Sequence, residues 1–207
     1  TLSGRVTTAE SNLTAKANEL SSKITSVEGK IPTSIGGRNL WIQSKAFGGF
    51  TEEILPDNHI TGQKVCYRIN SGAEMCFNIE PNFSSRLVRK VTFSAWVKYD
   101  NVVQGANNWN AFNVFKHRFT YRNSETGVTS GTDYLTLKGY SGTADWKYVQ
   151  FTHDYTNNSY DQLKGSLLFN LEGTKSGTAW VAGIKVEFGS IPSDYSPAPE
   201  DYDSKLA

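Results

Sequence analysis

Cysteine, methionine and histidine are scarce in this chain: two, one and three among 207 residues. Cys66 and Cys76 have no clustered His beside them, so a zinc site lacks ligands. His59, His117 and His153 show none of the His-Glu-x-x-His spacing of a metal-dependent hydrolase, and no Gly-x-Ser-x-Gly elbow offers a nucleophile. No calcium loop is recognisable. Charge of one sign is also lacking: 21 basic residues against 20 acidic leave +1, which gives no footprint for nucleic acid or an anionic membrane. No apolar run approaches the roughly 20 residues of a membrane span, and no charged start followed by an apolar stretch marks a signal peptide. Neither a cofactor nor a metal is expected. Glycosidase chemistry needs only two carboxylates, and Glu52, Glu53, Asp57, Glu80 and Glu172 leave that alternative standing beside a non-catalytic reading.

What the chain does have begins at its first residues. Leu2, Val6, Ala9, Leu13, Ala17, Leu20, Ile24, Val27 and Ile31 succeed one another by threes and fours, the seam of a coiled coil. Two successive fours at Leu13 form a stutter. Everything off the seam is Ser, Thr, Asn, Lys, Glu or similar, and a helix polar on all but one thin stripe is unstable alone in water. Leu2, Ala9, Leu20 and Val27 occupy d, and Val6, Ala17, Ile24 and Ile31 occupy a. β-Branched Ile24 and Val27 favour three strands over two, so the sequence predicts a parallel homotrimer. The alternative is one amphipathic helix packed on the following domain. Gly29, Pro32, Gly36 and Gly37 end the helix near Glu28. Starting on Thr1 in mid-heptad, the sequence reads as the C-terminal piece of something longer.

From Arg38 the apolar period changes to two. Strands are predicted at Arg38–Gln43, Val91–Tyr99, Asn110–Arg122, Tyr134–Lys138, Trp146–Tyr155, Gly165–Glu172 and Ala179–Phe188, separated by short polar turns. Lys64–Asn70 and Glu74–Glu80 read as a hairpin in which Cys66 faces Cys76, Arg68 faces Glu74 and Tyr67 faces Met75. That leaves a cross-strand disulfide or two adjacent thiols. In the Asn110–Arg122 strand, alternation puts Phe112, Val114, Lys116 and Arg118 on one side and Asn113, Phe115, His117, Phe119 and Tyr121 on the other. About eight strands without a further helix describe a mainly β chain, a jelly-roll β-sandwich preceded by the coiled-coil helix. The expected division is 1–31 stalk, 32–37 hinge, 38–199 head and 200–207 tail or linker.

Gly36-Gly37-Arg38-Asn39-Leu40 at the start, Ala182–Gly189 and Asp194–Asp201 at the close, and Val91–Tyr99 answered by Trp146–Phe151 form a frame. In these motifs the chain resembles the carbohydrate-binding jelly-roll modules of tail-tip and receptor-binding proteins of siphophages that infect Gram-positive bacteria, notably streptococci. The resemblance covers about residues 36–201. It implies a non-catalytic head that binds host cell-wall saccharide, a homotrimer beside other phage tail proteins, and a place on the virion tail, acting outside the host cell. It does not name the sugar, and an assembly module of the tail tip without ligand stands as the structural alternative.

Sugar recognition needs flat aromatic faces for C–H surfaces and amides or charges for hydroxyls. Gln104–Asn110 is the densest such stretch. Trp109 is the candidate stacking residue, with Asn107, Asn108 and Asn110 beside it; the bland alternative is a loop anchor among ordinary turn residues. Trp96 lies out of phase with Phe93 and Val97 and is a candidate for a polar face, unless both faces of its strand are buried. His117 and Tyr121 come on the next strand, where a lone His more commonly belongs to the framework. Asn170 and Glu172 point opposite to their apolar neighbours. Trp41, Trp146 and Trp180 are assigned to the core or the strand ends. Arg86, Arg89 and Lys90 form the basic cluster, a candidate for phosphate contacts or simply a solvated strand end.

Overall fold

The computed structural model describes residues 1–30, 37–77, 90–122, 127, 129–154 and 162–206; at 27–30, 119–122, 129–133, 162–166 and 203–206 it describes the backbone course alone. The chain divides into two units, Thr1–Ile35 and Gly36–Ala207. In the first, helix α1 (Leu2–Lys30) runs two residues beyond the expected end. Threonine is a modest helix former, and here Thr7, Thr8, Thr14 and Thr25 each donate their hydroxyl to the carbonyl four residues back at 3.0 Å, which satisfies it without leaving the helix. Lys16 and Lys23 pair with Glu19. Leu2, Val6, Leu13, Leu20 and Ile24 all remain exposed in the single chain.

In the second unit two five-stranded antiparallel sheets form a sandwich. One is ordered β1 (Phe47–Gly48), β4 (Glu74–Phe77), β9 (Gln162–Asn170), β6 (Phe112–Arg122), β7 (Thr129–Tyr140). The other is β2 (Phe50–Ile54), β3 (Val65–Asn70), β10 (Ser176–Phe188), β5 (Lys90–Val103), β8 (Gly142–Asp154). Successive strands switch repeatedly between sheets, as in a jelly roll. The core lies between them. Val91, Phe93, Ala95, Val97 and Tyr99 face it from β5, as their alternation predicts, and meet Phe112, Phe115 and Phe169 of the opposite sheet. Tyr99 and Tyr140 stack at 5.2 Å, with Lys147 Nζ 4.1 Å from the Tyr140 centroid. No described helix is long and apolar enough to cross a membrane.

Three expectations are corrected. First, Val65–Asn70 and Glu74–Phe77 are not a hairpin: β3 pairs with β2 and β10, and β4 with β1 and β9. Ser71 N–H donates to the Gly177 carbonyl and Gly72 N–H to that of Leu171, so 70–74 crosses between the sheets alongside 170–176. Cys66 and Cys76 therefore sit in different sheets as free thiols, and burial pushes each up to about 11. Second, Arg38–Gln43 is not a strand. Buried Asn39 takes the place of a ladder: its Oδ1 accepts from the N–H groups of Trp41 and Val186, and its Nδ2 donates to the carbonyls of Ile184 and Ser196. Third, residues 200–206, expected as tail or linker, are helical and bonded to the start of the sandwich. Helix α2 (Pro199–Leu206) carries Asp201, whose carboxylate caps the 3-10 turn Gln43–Lys45 by accepting from Gln43 and Ser44 N–H at 2.9 and 3.1 Å. Arg38 pairs with Glu200. The framing motifs are thus one clasp between the two ends of the sandwich chain.

Candidate functional site

Strand β6 decides what one outer face presents. Phe115 has φ +51, and the β6–β9 register slips between Asn113 and Lys116. This bulge turns Val114 and Phe115 both into the core and reverses the phase of the strand beyond it. Asn113, Lys116 and Arg118 then share the outer face, whereas His117 turns inward. Nothing in the sequence signals the bulge, since no glycine stands there.

The outer face is polar yet largely buried. Glu74, Asn170 and Asn113 stand opposite one another across β4, β9 and β6, and Cys76, Leu168 and Lys116 form the next row. Arg118 Nη2 reaches Glu74 Oε2 at 3.2 Å. Because β9 lies between their strands, that pair arches over it and roofs Leu168, which is fully buried outside the core cluster. Lys116 Nζ lies 3.4 Å from the Glu172 carboxylate and 5.9 Å from the Tyr134 ring centre. Asn113 Nδ2 donates to Asn170 Oδ1 at 2.7 Å and to the Trp109 carbonyl at 2.8 Å. Asn170 is 0% exposed, and its Nδ2 has no partner among the described residues. A buried amide donor left unmade is costly.

Beside this face stands the 104–111 loop, which joins β5 to β6. Asn110 is its keystone. Its Oδ1 accepts from Asn107 N–H at 2.9 Å, its Nδ2 donates to the Glu172 carbonyl at 3.1 Å, and its carbonyl accepts from Gly105 N–H. The loop is thereby locked to the 171–174 turn. On this fixed support Trp109 is 54% exposed. Asn107 and Asn108 are exposed next to it. A large indole held in solvent by a loop pinned at Asn110 is an unusual use of a residue that dominates cores and interfaces. Tyr134, 59% exposed, lies toward the far end of the same face, roughly 15 Å along β6 at strand spacing.

The candidate residues therefore separate. Trp109, Asn107, Asn108 and Asn170 come together, with Asn110 as the support beneath them. Trp96 lies on the outer face of the other sheet, opposite Tyr148 and Ala182. His117 is 1% exposed, between Phe93 and His153 in the interior; its place is in the framework. For Tyr121 the strand position alone is described, opposite Leu163, and Arg86 and Arg89 lie outside the described residues. Trp41 is in the core as expected, but Trp146 and Trp180 are not. Glu74, Asn113, Lys116, Arg118 and Tyr134 were not foreseen, because the bulge shifts the phase of β6 and because β4, β9 and β6 pair out of chain order. The described residues hold no His, Cys, Asp and Glu group suited to a metal ion.

Buried His117 carries a pH signature. Burial pushes its imidazole down to about 3 from an ordinary 6.5; the Phe115 carbonyl, accepting from Nδ1–H, works the other way, and nearby His153 adds to the depression. With the folded value below the unfolded one, the unfolded chain binds the extra proton. Stability is complete above pH 6.5 and falls toward pH 3 by about 1.4 kcal/mol per unit. Urea midpoints should drop by about 3 kcal/mol equivalent between pH 6.5 and 4, and His117→Phe should flatten the profile. An unchanged profile in that variant would assign the acid loss to other groups.

No family model and no curated protein matches the chain. Among solved structures it is similar to the CBM22-1 xylan-binding domain of Paenibacillus barcinonensis Xyn10C, with 12% identity over 74% of this chain and 92% of that one, TM-score 0.40. It is similar to the tripod from the baseplate of bacteriophage Tuc2009, with 16% identity over 82% and 62%, TM-score 0.42. It is also similar to the enzymatically active domain of tailspike protein 4 of bacteriophage CBA120, with 8% identity over 70% and 20%, TM-score 0.36.

Proposed function

We propose that this chain is a glycan-binding protein of a phage tail, in which helix α1 trimerises three non-catalytic heads that attach to host cell-wall saccharide. The observation that carries the binding reading is Trp109, half in solvent on a locked loop, beside the unused buried donor of Asn170. A sugar ring laid on the indole brings C–H surface to an apolar face and hydroxyls to Asn107, Asn108 and the Glu172 carboxylate. The phage assignment rests on the resemblance of the framing motifs. The two carboxylates on this face, Glu74 and Glu172, stand against Arg118 and Lys116. A general acid wants the reverse, an apolar pocket that keeps its proton, so binding without hydrolysis is the better fit.

Trimerisation is the expected consequence of the exposed stripe of α1, which needs partners to be stable. Three weak sites on one stalk gain through effective concentration. Light scattering of the intact chain should give three times 22.9 kDa. Trp109→Ala should weaken binding to purified host cell-wall polysaccharide at least about tenfold, the loss of about 1.4 kcal/mol, with mass and melting temperature unchanged. Undiminished binding by an intact trimer would rule the Trp109 site out, and release of reducing sugar from walls would restore the glycosidase alternative.

A further inference from the structure

Three of the five tryptophans lie outside the core, on one face of the β2-β3-β10-β5-β8 sheet, away from Trp109. Register places Trp180 between Arg68 and Lys98, and in the adjoining row Trp96 between Ala182 and Tyr148. Trp96 and Tyr148 are 5.8 Å apart, and Tyr148 is 45% exposed. Trp146 meets His59 edge-on at 5.4 Å. His59 belongs to the 55–64 loop, which leaves the opposite edge strand; the same loop sets Gln63 against Gly183 and so lies along this face. Indole and phenol rings are thus laid out beside hydrogen-bonding groups. Trp180 Nε1 donates to Glu53 Oε2 at 3.3 Å, Arg68 pairs with Glu53 at 2.5 Å, and Lys98 Nζ lies 5.0 Å from the Trp180 ring centre. Arg68 Nε is buried and has no partner among the described residues.

We propose that this face is a second saccharide-binding surface, independent of the Trp109 loop, and that its ligand is a neutral glycan. Three features select that occupant. Ring faces suit sugar C–H surfaces, and Glu53, Arg68 and Lys98 supply the mixture of acceptors and donors that hydroxyls require. Arg68 is paired with Glu53 and Lys98 lies over the Trp180 ring, so neither cation is left to a sugar carboxylate. The four aromatic side chains are mostly covered and leave on the order of 300 Å² in solvent, which suits one or two sugar rings and falls well short of the roughly 800 Å² that each member of a stable protein pair buries.

Fluorotryptophan-labelled full-length chain, monitored by ¹⁹F NMR, tests this. The probes are the neutral fraction of streptococcal cell-wall polysaccharide and soluble hexasaccharides of glucose, xylose and galactose. The Trp96 and Trp180 signals should shift with at least one probe, in the native chain and in Trp109→Ala alike. Tyr148→Ala and Tyr148→Leu should weaken that response about tenfold, and Tyr148→Phe should keep it; the last two preserve bulk on the edge strand should the alanine variant not fold. Response at Trp96 and Trp180 with none at Trp109 supports this surface and refutes the Trp109 reading. Response at Trp109 alone overturns this surface and leaves that reading intact. Signals at Trp96 and Trp180 that move on dilution without glycan make the face a contact between copies and overturn the proposal, as does silence with every probe.

Discussion

Lys185→Ala should destabilise the head by about 3–5 kcal/mol, because it breaks a buried, charged hydrogen-bond network. Lys185 and Glu187 are each 1% exposed on the outer side of β10. Lys185 Nζ donates to Ser193 Oγ and to the Asp194 carbonyl, both at 2.7 Å. Ser193 passes the link on: its hydroxyl donates to Glu187 Oε1 at 2.6 Å, and its N–H to Oε2 at 3.1 Å. Gly37 N–H also reaches the Ser193 hydroxyl, at 3.4 Å. One network therefore joins the start of the sandwich, its β10 strand and its closing segment. Removing the ammonium leaves the Asp194 carbonyl and the Ser193 hydroxyl without their donor, and takes away the positive charge that Ser193 links to Glu187. At this chain length the loss should lower the melting temperature by roughly 10 °C or more. Replacing both partners, as Lys185→Met with Glu187→Leu, should recover part of it, since a buried pair costs more to break than to delete. Urea denaturation of both variants decides the matter: a loss under about 1 kcal/mol in Lys185→Ala would mean that water reaches the network.

Gly105→Ala should weaken the proposed glycan binding at the Trp109 loop at least about tenfold while touching no ligand-facing group. A Cβ at residue 105 would stand 1.9 Å from the Gly173 carbonyl oxygen and 2.8 Å from Asn110 Cβ. The first of these is backbone, so one of the two turns must move. The second turn is no freer: Gly173 has φ +67, and a Cβ there would meet Asn110 Nδ2 at 2.4 Å. Overpacking of this kind costs about 1–3 kcal/mol. The functional effect should exceed the stability effect, because displacing Asn110 releases both its bond to Asn107 N–H and its bond to the Glu172 carbonyl, and with them the position of the indole. Affinity should fall to the level of Trp109→Ala, with the chain still folded and its mass in solution unchanged. Wild-type affinity in Gly105→Ala would show that the loop does not set the site.

Much of the architecture was readable in the chain. The alternation of β5 and the polar turns between apolar runs foretold a β-sandwich, and a Trp among asparagines foretold the exposed loop. Legibility failed where a strand did not keep its period or its nearest neighbour. The bulge at Phe115 left no composition signal, so His117 and Lys116 exchanged sides against expectation. The turn at Ser71-Gly72 has the composition of a hairpin, yet its N–H groups bond to residues 177 and 171, and two cysteines expected face to face lie in separate sheets. Trp146 and Trp180 could be placed only once β8 and β10 had their partners.

By itself the sequence determined the local terms: that most of the long strands extend, and that α1 carries a single apolar stripe. These depend on spacing along one chain, and spacing is what a sequence records. Tertiary structure decided which polar residues share a face. Glu74, Asn113, Lys116 and Asn170 are brought together by pairing between strands distant in the chain, in an order that short-range patterns do not encode. It also decided the worth of Asn39, Asn110 and Ser193, unremarkable residues whose side chains replace missing backbone partners at the points where the sandwich closes.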